Sequence, residues 1–264
     1  MRKSSTLTSQ WSESTLLTVS FEAALAVALT TAIQRGDGEA LQTLLRDNPG
    51  IAAARIVDRH GVARTLLHVV ADWPGHFPNG ARAVQMLVAA GADVNAGVIH
   101  PGPNGSPETA LHWAASSNDV SVLDALLDSG ADIEAPGAVF TGGTPLSDAV
   151  LFTQWRAANR LVERGAKTTI WQAAALGLLN RVRECRSIEP PGPSEEITNA
   201  FWHACRAGQL GTAEYLLDQG AELNWVGHDG KTPLDAAQNG ETNQLTPWLR
   251  ELGAEQGIGS SRDG

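Results

Sequence analysis

Apolar positions along this chain recur in short amphipathic blocks joined by polar turns. A block opens on Thr65-Leu66-Leu67-His68, Thr109-Ala110-Leu111-His112, Thr144-Pro145-Leu146-Ser147 or Thr232-Pro233-Leu234-Asp235. A second block follows, ends on paired apolar residues such as Leu126-Leu127, Leu161-Val162 or Leu216-Leu217, and gives way to glycine. Apolar residues three and four apart predict two short helices per unit, each burying one stripe. The opening Thr is suited to cap the first helix, and Pro145 and Pro233 fit the first turn, where a missing N–H costs nothing. The closing phrase, Gly91-Ala92-Asp93, Gly130-Ala131-Asp132, Gly165-Ala166 or Gly220-Ala221-Glu222, supplies the left-handed residue that ends the second helix. Thr109 and Thr144 lie 35 residues apart, and Gly220 and Gly253 lie 33 apart. One such unit cannot bury its own stripe, so the units must stack into a continuous core.

Two phrases recurring in phase with a period near 33 residues resemble the ankyrin repeat family, over roughly residues 21 to 252. The resemblance implies an all-α solenoid of about seven helix-turn-helix units with β-hairpin fingers. Small pairs such as Ala114-Ala115, Ala173-Ala174 and Ala236-Ala237 allow neighbouring first helices to approach closely. The units begin near Phe21, Thr65, Thr109, Thr144, Thr168, Asn199 and Thr232, with the outer two as caps. Residues 1–20 read as a flexible arm, 21–252 as the repeat domain and 253–264 as a flexible tail.

Three interruptions break the period. Trp73 to Gly80 lengthens the turn inside the second unit and carries Trp73, His76 and Phe77; Gly97 to Pro107 enlarges a finger; and Arg186 to Pro193 replaces a finger by a Pro-rich connector leading to Ser194, a candidate helix cap.

Tryptophan numbers 8 against 5 Phe and 1 Tyr, and Trp73, Trp113, Trp155, Trp171 and Trp202 fall in consecutive units. Core packing accounts for any one of them, but five near the inner helices suggest an interface or the wall of a pocket. In this reading Trp171 and Trp202 take the slot that His68 and His112 fill elsewhere. The next position holds Val69, Trp113, Asp148, Gln172, His203 and Ala236, so three successive units offer a carboxylate, an amide and an imidazole. That row is either a satisfied polar ladder or lines a cleft with Trp113, Trp171 and Trp202 as apolar walls and Asp72 and Trp73 at its edge, Phe152 and Trp155 being further binding candidates.

A formal charge of −10 and the lack of a Lys/Arg run argue against nucleic acid and anionic membranes, and no stretch is long and apolar enough to span a bilayer. Met1-Arg2-Lys3 before Leu16 to Ala32 imitates a secretory signal, but Glu13 and Glu22 interrupt it. Cys185 and Cys205 have no metal-ligand spacing and read as reduced core thiols of a cytoplasmic protein. No metal or cofactor is implied, and no nucleophile elbow, phosphate loop or zinc motif is present. Two functions remain. The resemblance implies a scaffold that binds a protein partner on the concave face of inner helices and fingers. The alternative is a small-molecule binder, or an enzyme of proton transfer or hydrolysis using Asp148, His203 and Asp72.

Overall fold

The computed structural model describes residues 17–103, 105–188, 194–238 and 244–257. A short strand, β1 (Thr18–Ser20), leads into the helix pair α1 (Ala24–Arg35) and α2 (Gly38–Asp47). The strands β2 (Arg55–Val57) and β3 (Ala63–Thr65) form the first finger and deliver the chain to α3 (Leu66–Ala71) and α4 (Gly80–Ala89). Then come α5 (Ala110–Ser116) with α6 (Val120–Asp128), α7 (Pro145–Leu151) with α8 (Trp155–Glu163), and α9 (Ile170–Ala175) with α10 (Leu179–Ile188). The last pairs are α11 (Glu195–Arg206) with α12 (Leu210–Asp218) and α13 (Pro233–Gln238) with α14 (Leu245–Glu251). The seven expected units are therefore present as seven helix pairs among the described residues.

Local chemistry explains the repetition. Thr65 Oγ1 and the Thr65 N–H both meet His68 Nδ1, at 2.8 and 3.3 Å, and Thr109 meets His112 Nδ1 at 3.0 and 3.1 Å. With Nδ1 accepting, Nε2 carries the proton and reaches across the junction: His68 to the carbonyl of Glu108 (3.0 Å), His112 to that of Gly143 (3.4 Å). Each histidine thus closes its own helix start and holds the next finger. Second helices end on glycines with φ of 91–99° at Gly91, Gly130, Gly165 and Gly220, a left-handed conformation that a side chain would strain.

The fifth unit departs from the expected frame. Its cap is Thr169, not Thr168, and Gln172 fills the histidine slot, its Oε1 accepting from the Thr169 N–H (2.8 Å) and hydroxyl (3.0 Å). Trp171 therefore stands one residue before that slot. In the sixth unit Asn199 lies inside the helix, because Ser194 caps α11 through Ile197 N–H (3.2 Å) and adds a turn ahead of it.

Both ends are held further out than expected. The arm expected through residue 20 gives way at Thr18–Ser20 to a strand paired in parallel with β2, Val19 opposite Ile56, while β3 pairs antiparallel with β2. In the tail expected from residue 253, Glu255 N–H bonds Asn224 Oδ1 and Gly257 N–H bonds Asp235 Oδ2, both at 2.8 Å. Residues 1–16 and 258–264, and 189–193 of the Pro-rich connector, lie outside the described residues.

The core comprises two clusters. One runs from Ala26 through Leu67, Leu111 and Leu146 to Ala175, the other from Ile170 through Phe201 and Leu216 to Leu249, and Trp171 packs against both.

Candidate functional site

The polar row does not form one floor. Gln172 is committed to its cap, and its Nε2 donates to Ser147 Oγ (3.0 Å). Asp148 is fully buried and its carboxyl meets Glu108, a residue in the finger before α5. Trp113 beside Glu108 and the Val139 backbone beside Asp148 favour the charged forms, but both Asp148 carboxyl oxygens are buried without a hydrogen-bond partner. Burial first, and the neighbouring Glu108 charge second, raise Asp148 to about 8; burial raises Glu108 as well. Two such carboxyls cannot both ionise cheaply, so they hold one proton between them at neutral pH. Asp148 thus sits enclosed on α7 beside two fingers, with both carboxyl oxygens unpartnered.

His203 lies against Trp171 (ring centroids 4.7 Å) and edge-on to Trp202 (5.0 Å). Burial, with Arg206 and His228 nearby, lowers its pKa to about 3, so it is neutral and a poor general base at physiological pH. Trp202 is 6% exposed and takes the histidine role in its own chemistry: its indole N–H donates to the carbonyl of Lys231 (2.9 Å), the residue before the cap Thr232, as Glu108 and Gly143 precede Thr109 and Thr144.

Asp72 pairs with Arg64 (3.1 Å) along α3, within its own unit; burial raises its pKa and Arg64 opposes the rise. Asp148, His203 and Asp72 thus belong to three separate local networks. Trp113 stands edge-on to His68 at 5.0 Å, and Trp155, half-buried at the start of α8, packs on the first core cluster. Trp73 is 81% exposed, His76 is exposed and Phe77 half-buried. Their turn is firmly held: His76 N–H bonds Asp119 Oδ2 (2.7 Å) on the next unit, and Asn79 Nδ2 bonds the Gly36 carbonyl (2.9 Å) on the previous one.

One concavity lies further along the array. Gly165 to Thr169 connects α8 directly to α9, with no room for the finger that Gly130 to Thr144 and Gly220 to Thr232 provide elsewhere. The gap leaves a slot of about 420 Å³ between the tip of one finger (Phe140), the end of α7 (Leu151), the face of α11 (Trp202, Arg206) and the next finger (Trp225). Asn199, His203, His228 and Asp229 complete its lining. A second compartment of about 250 Å³, bordered by Thr153, Lys231 and Ala236, shares Trp202, Arg206 and Asp229 with the first. Phe140 (74% exposed) meets Phe152 at 5.9 Å on the outer lip.

Of the residues expected from sequence, Trp202 and His203 line this slot and Phe152 flanks it. Arg206, Trp225 and Leu151 were missed, although Arg206 lies one turn beyond His203 on the same helix face. Glu108 was also missed; its one mark in the sequence is its place directly before a cap threonine. Among the described residues no cluster of His, Cys, Asp or Glu is arranged to hold a metal ion, and no helix is long and apolar enough to cross a membrane.

Comparison with known proteins agrees with the fold. Residues 77–172 match the model for ankyrin repeats (3 copies). An ankyrin repeat and KH domain-containing protein of Caenorhabditis briggsae is 29% identical over 202 residues, covering 72% of this chain but 7% of the relative's length. The crystal structure of the human ASB11 ankyrin repeat domain is similar in fold, with a TM-score of 0.51 at 19% identity, covering 84% of this chain and 96% of that one. Residues 77–172 thus match three ankyrin repeats in sequence, and the helix pairs on either side continue the same fold.

Proposed function

We propose that this chain is a protein-binding scaffold whose partner docks on the concave face between the finger at Phe140 and the finger at Trp225. Ankyrin repeats generally serve as protein-interaction scaffolds, which supports the class; the position rests on one observation. Exposed apolar side chains gather around the slot, with Phe140 (74% exposed), Val139 (44%) and Phe152 (39%) on one lip and Val226 (54%) on the other. A small ligand filling the slot would leave this rim uncovered, whereas a protein surface covers slot and rim together.

Photo-crosslinking tests the reading. A benzophenone amino acid at Phe140 or Val226 should capture a discrete partner from the native extract, and the same probe at Glu163 on the outer helix α8 should not. Equal capture from both faces, or none from the fingers, would refute the docking face.

A further inference from the structure

Arg206 is the group in the slot whose chemistry is least satisfied by the protein itself. Its Nη2 donates to the Leu151 carbonyl (2.8 Å), and the guanidinium carbon stands 5.8 Å from the Trp202 ring centre. Neither contact neutralises the charge. Asp229 attracts Arg206 electrostatically, but its carboxylate is engaged elsewhere: Oδ1 accepts the Lys231 N–H (3.1 Å) and Oδ2 lies 3.5 Å from Lys231 Nζ. No carboxylate among the described residues pairs with Arg206. A guanidinium partly withdrawn from water, with donors to spare, is a ready partner for a carboxylate, and the forked geometry favours a two-point contact.

The surroundings narrow the class. The larger compartment beside Arg206 offers Phe140, Leu151 and Trp225, apolar walls for a bulky side chain; the smaller, which Arg206 also borders, offers Thr153 and Lys231. The local charge of Arg206, Lys231 and Asp229 is positive, within a chain whose formal total is −10. Because Arg206 borders both compartments, a segment can lie along both with Arg206 between its ends.

From this geometry we infer that the slot takes an extended internal peptide segment of the partner, with a bulky apolar side chain between Phe140 and Trp225 and an adjacent Asp or Glu on Arg206. The inference rests on the scaffold reading above and adds the chemistry of the partner. Thr153 and Lys231 then receive the polar backbone of the segment beyond its acidic residue.

The experiment uses the full chain and short fluorescent peptides, acetylated and amidated at their ends, with a central Phe-Glu, Phe-Gln, Phe-Lys or Ser-Glu pair. Fluorescence anisotropy should show saturable binding of Phe-Glu, with Phe-Gln and Ser-Glu weaker by about tenfold or more and Phe-Lys weaker still. R206Q should reduce Phe-Glu to the level of Phe-Gln, and R206K should recover part of the loss. Because R206Q also removes the bond to Leu151, F140S serves as a second variant, altering an exposed lip residue; it should weaken every Phe peptide and leave the thermal melt unchanged. Equal binding of Phe-Glu and Phe-Gln, full binding by folded R206Q, or no saturation of any peptide at about 1 mM would overturn the inference. The two readings part cleanly. A cross-linked partner that the Phe-Glu peptide does not displace removes the acidic-segment inference alone, and peptide binding without any cross-link removes the scaffold reading.

Discussion

Replacing Asp148 by Asn should stabilise the protein, by an amount that depends on pH. The carboxyl is fully buried against Glu108 and its pKa is raised from 3.8 to about 8, chiefly by burial. As pH rises above 3.8 the unfolded chain releases a proton that the folded chain retains until about pH 8, so stability falls by roughly 1.4 kcal/mol per pH unit across that window. Carried to pH 7, the cost is on the order of 4 kcal/mol. Asparagine has nearly the same shape and carries no charge at any pH, so D148N should recover about 2–4 kcal/mol at pH 7 and little near pH 4. The assay is urea unfolding of both proteins from pH 5 to 8.5. Titrating groups other than Glu108, which is coupled to Asp148, cancel in the difference, which should widen with pH and level off above about pH 8. Parallel curves through that range, or an Asn variant less stable than wild type at pH 8, would refute the shared-proton account.

The acid limb belongs to the histidines: His68 and His112 are held near 4 and His203 near 3, in each case mainly by burial, against 6.5 unfolded. Below pH 6.5 the unfolded chain gains protons that these rings refuse, so stability falls as pH drops toward 4, and H203F should shallow that limb in an acid titration followed by circular dichroism. G227A places a Cβ 2.8 Å from the Trp202 indole nitrogen and should break its bond to Lys231, costing about 1–3 kcal/mol in thermal or urea melts; an unchanged midpoint would show that the finger shifts freely. H112Q should be tolerated because Gln172 already performs that capping task, whereas H112L should cost about 1–3 kcal/mol by the same measurement. W73A removes a side chain that is 81% exposed and should change stability by less than about 0.5 kcal/mol, while weakening partner capture if the turn is part of the contact surface; an early melt with normal capture would reverse that reading.

The repeat was legible because its signals are local. Thr65 with His68, or Thr109 with His112, states a helix start within four residues, and a glycine after an apolar pair states a helix end. Where two local signals compete, the reading slips: Thr168 and Thr169 are both plausible caps, and only the hydrogen bonds of Gln172 decide for the second. The placement of Asp148 was beyond reach for a different reason. Its partner Glu108 is 40 residues away in a finger, and the pairing of a finger residue with an inner helix depends on how units stack rather than on period. The slot was half visible, as the missing finger between Gly165 and Thr169. What the gap exposes could be read only after Arg206, Trp225 and Phe140 had been brought around it.

The two core clusters meet at α9, where Trp171 touches both, and the slot straddles that meeting point. Phe140 and Leu151 ride on the units of the first cluster; Trp202, Arg206 and Trp225 ride on those of the second. A segment seated between them would brace that joint, adding to the contacts that Trp171 and its neighbours on α9 already make. The mechanical stiffness of the array, and the half that gives way first under load, then become properties of occupancy as much as of sequence.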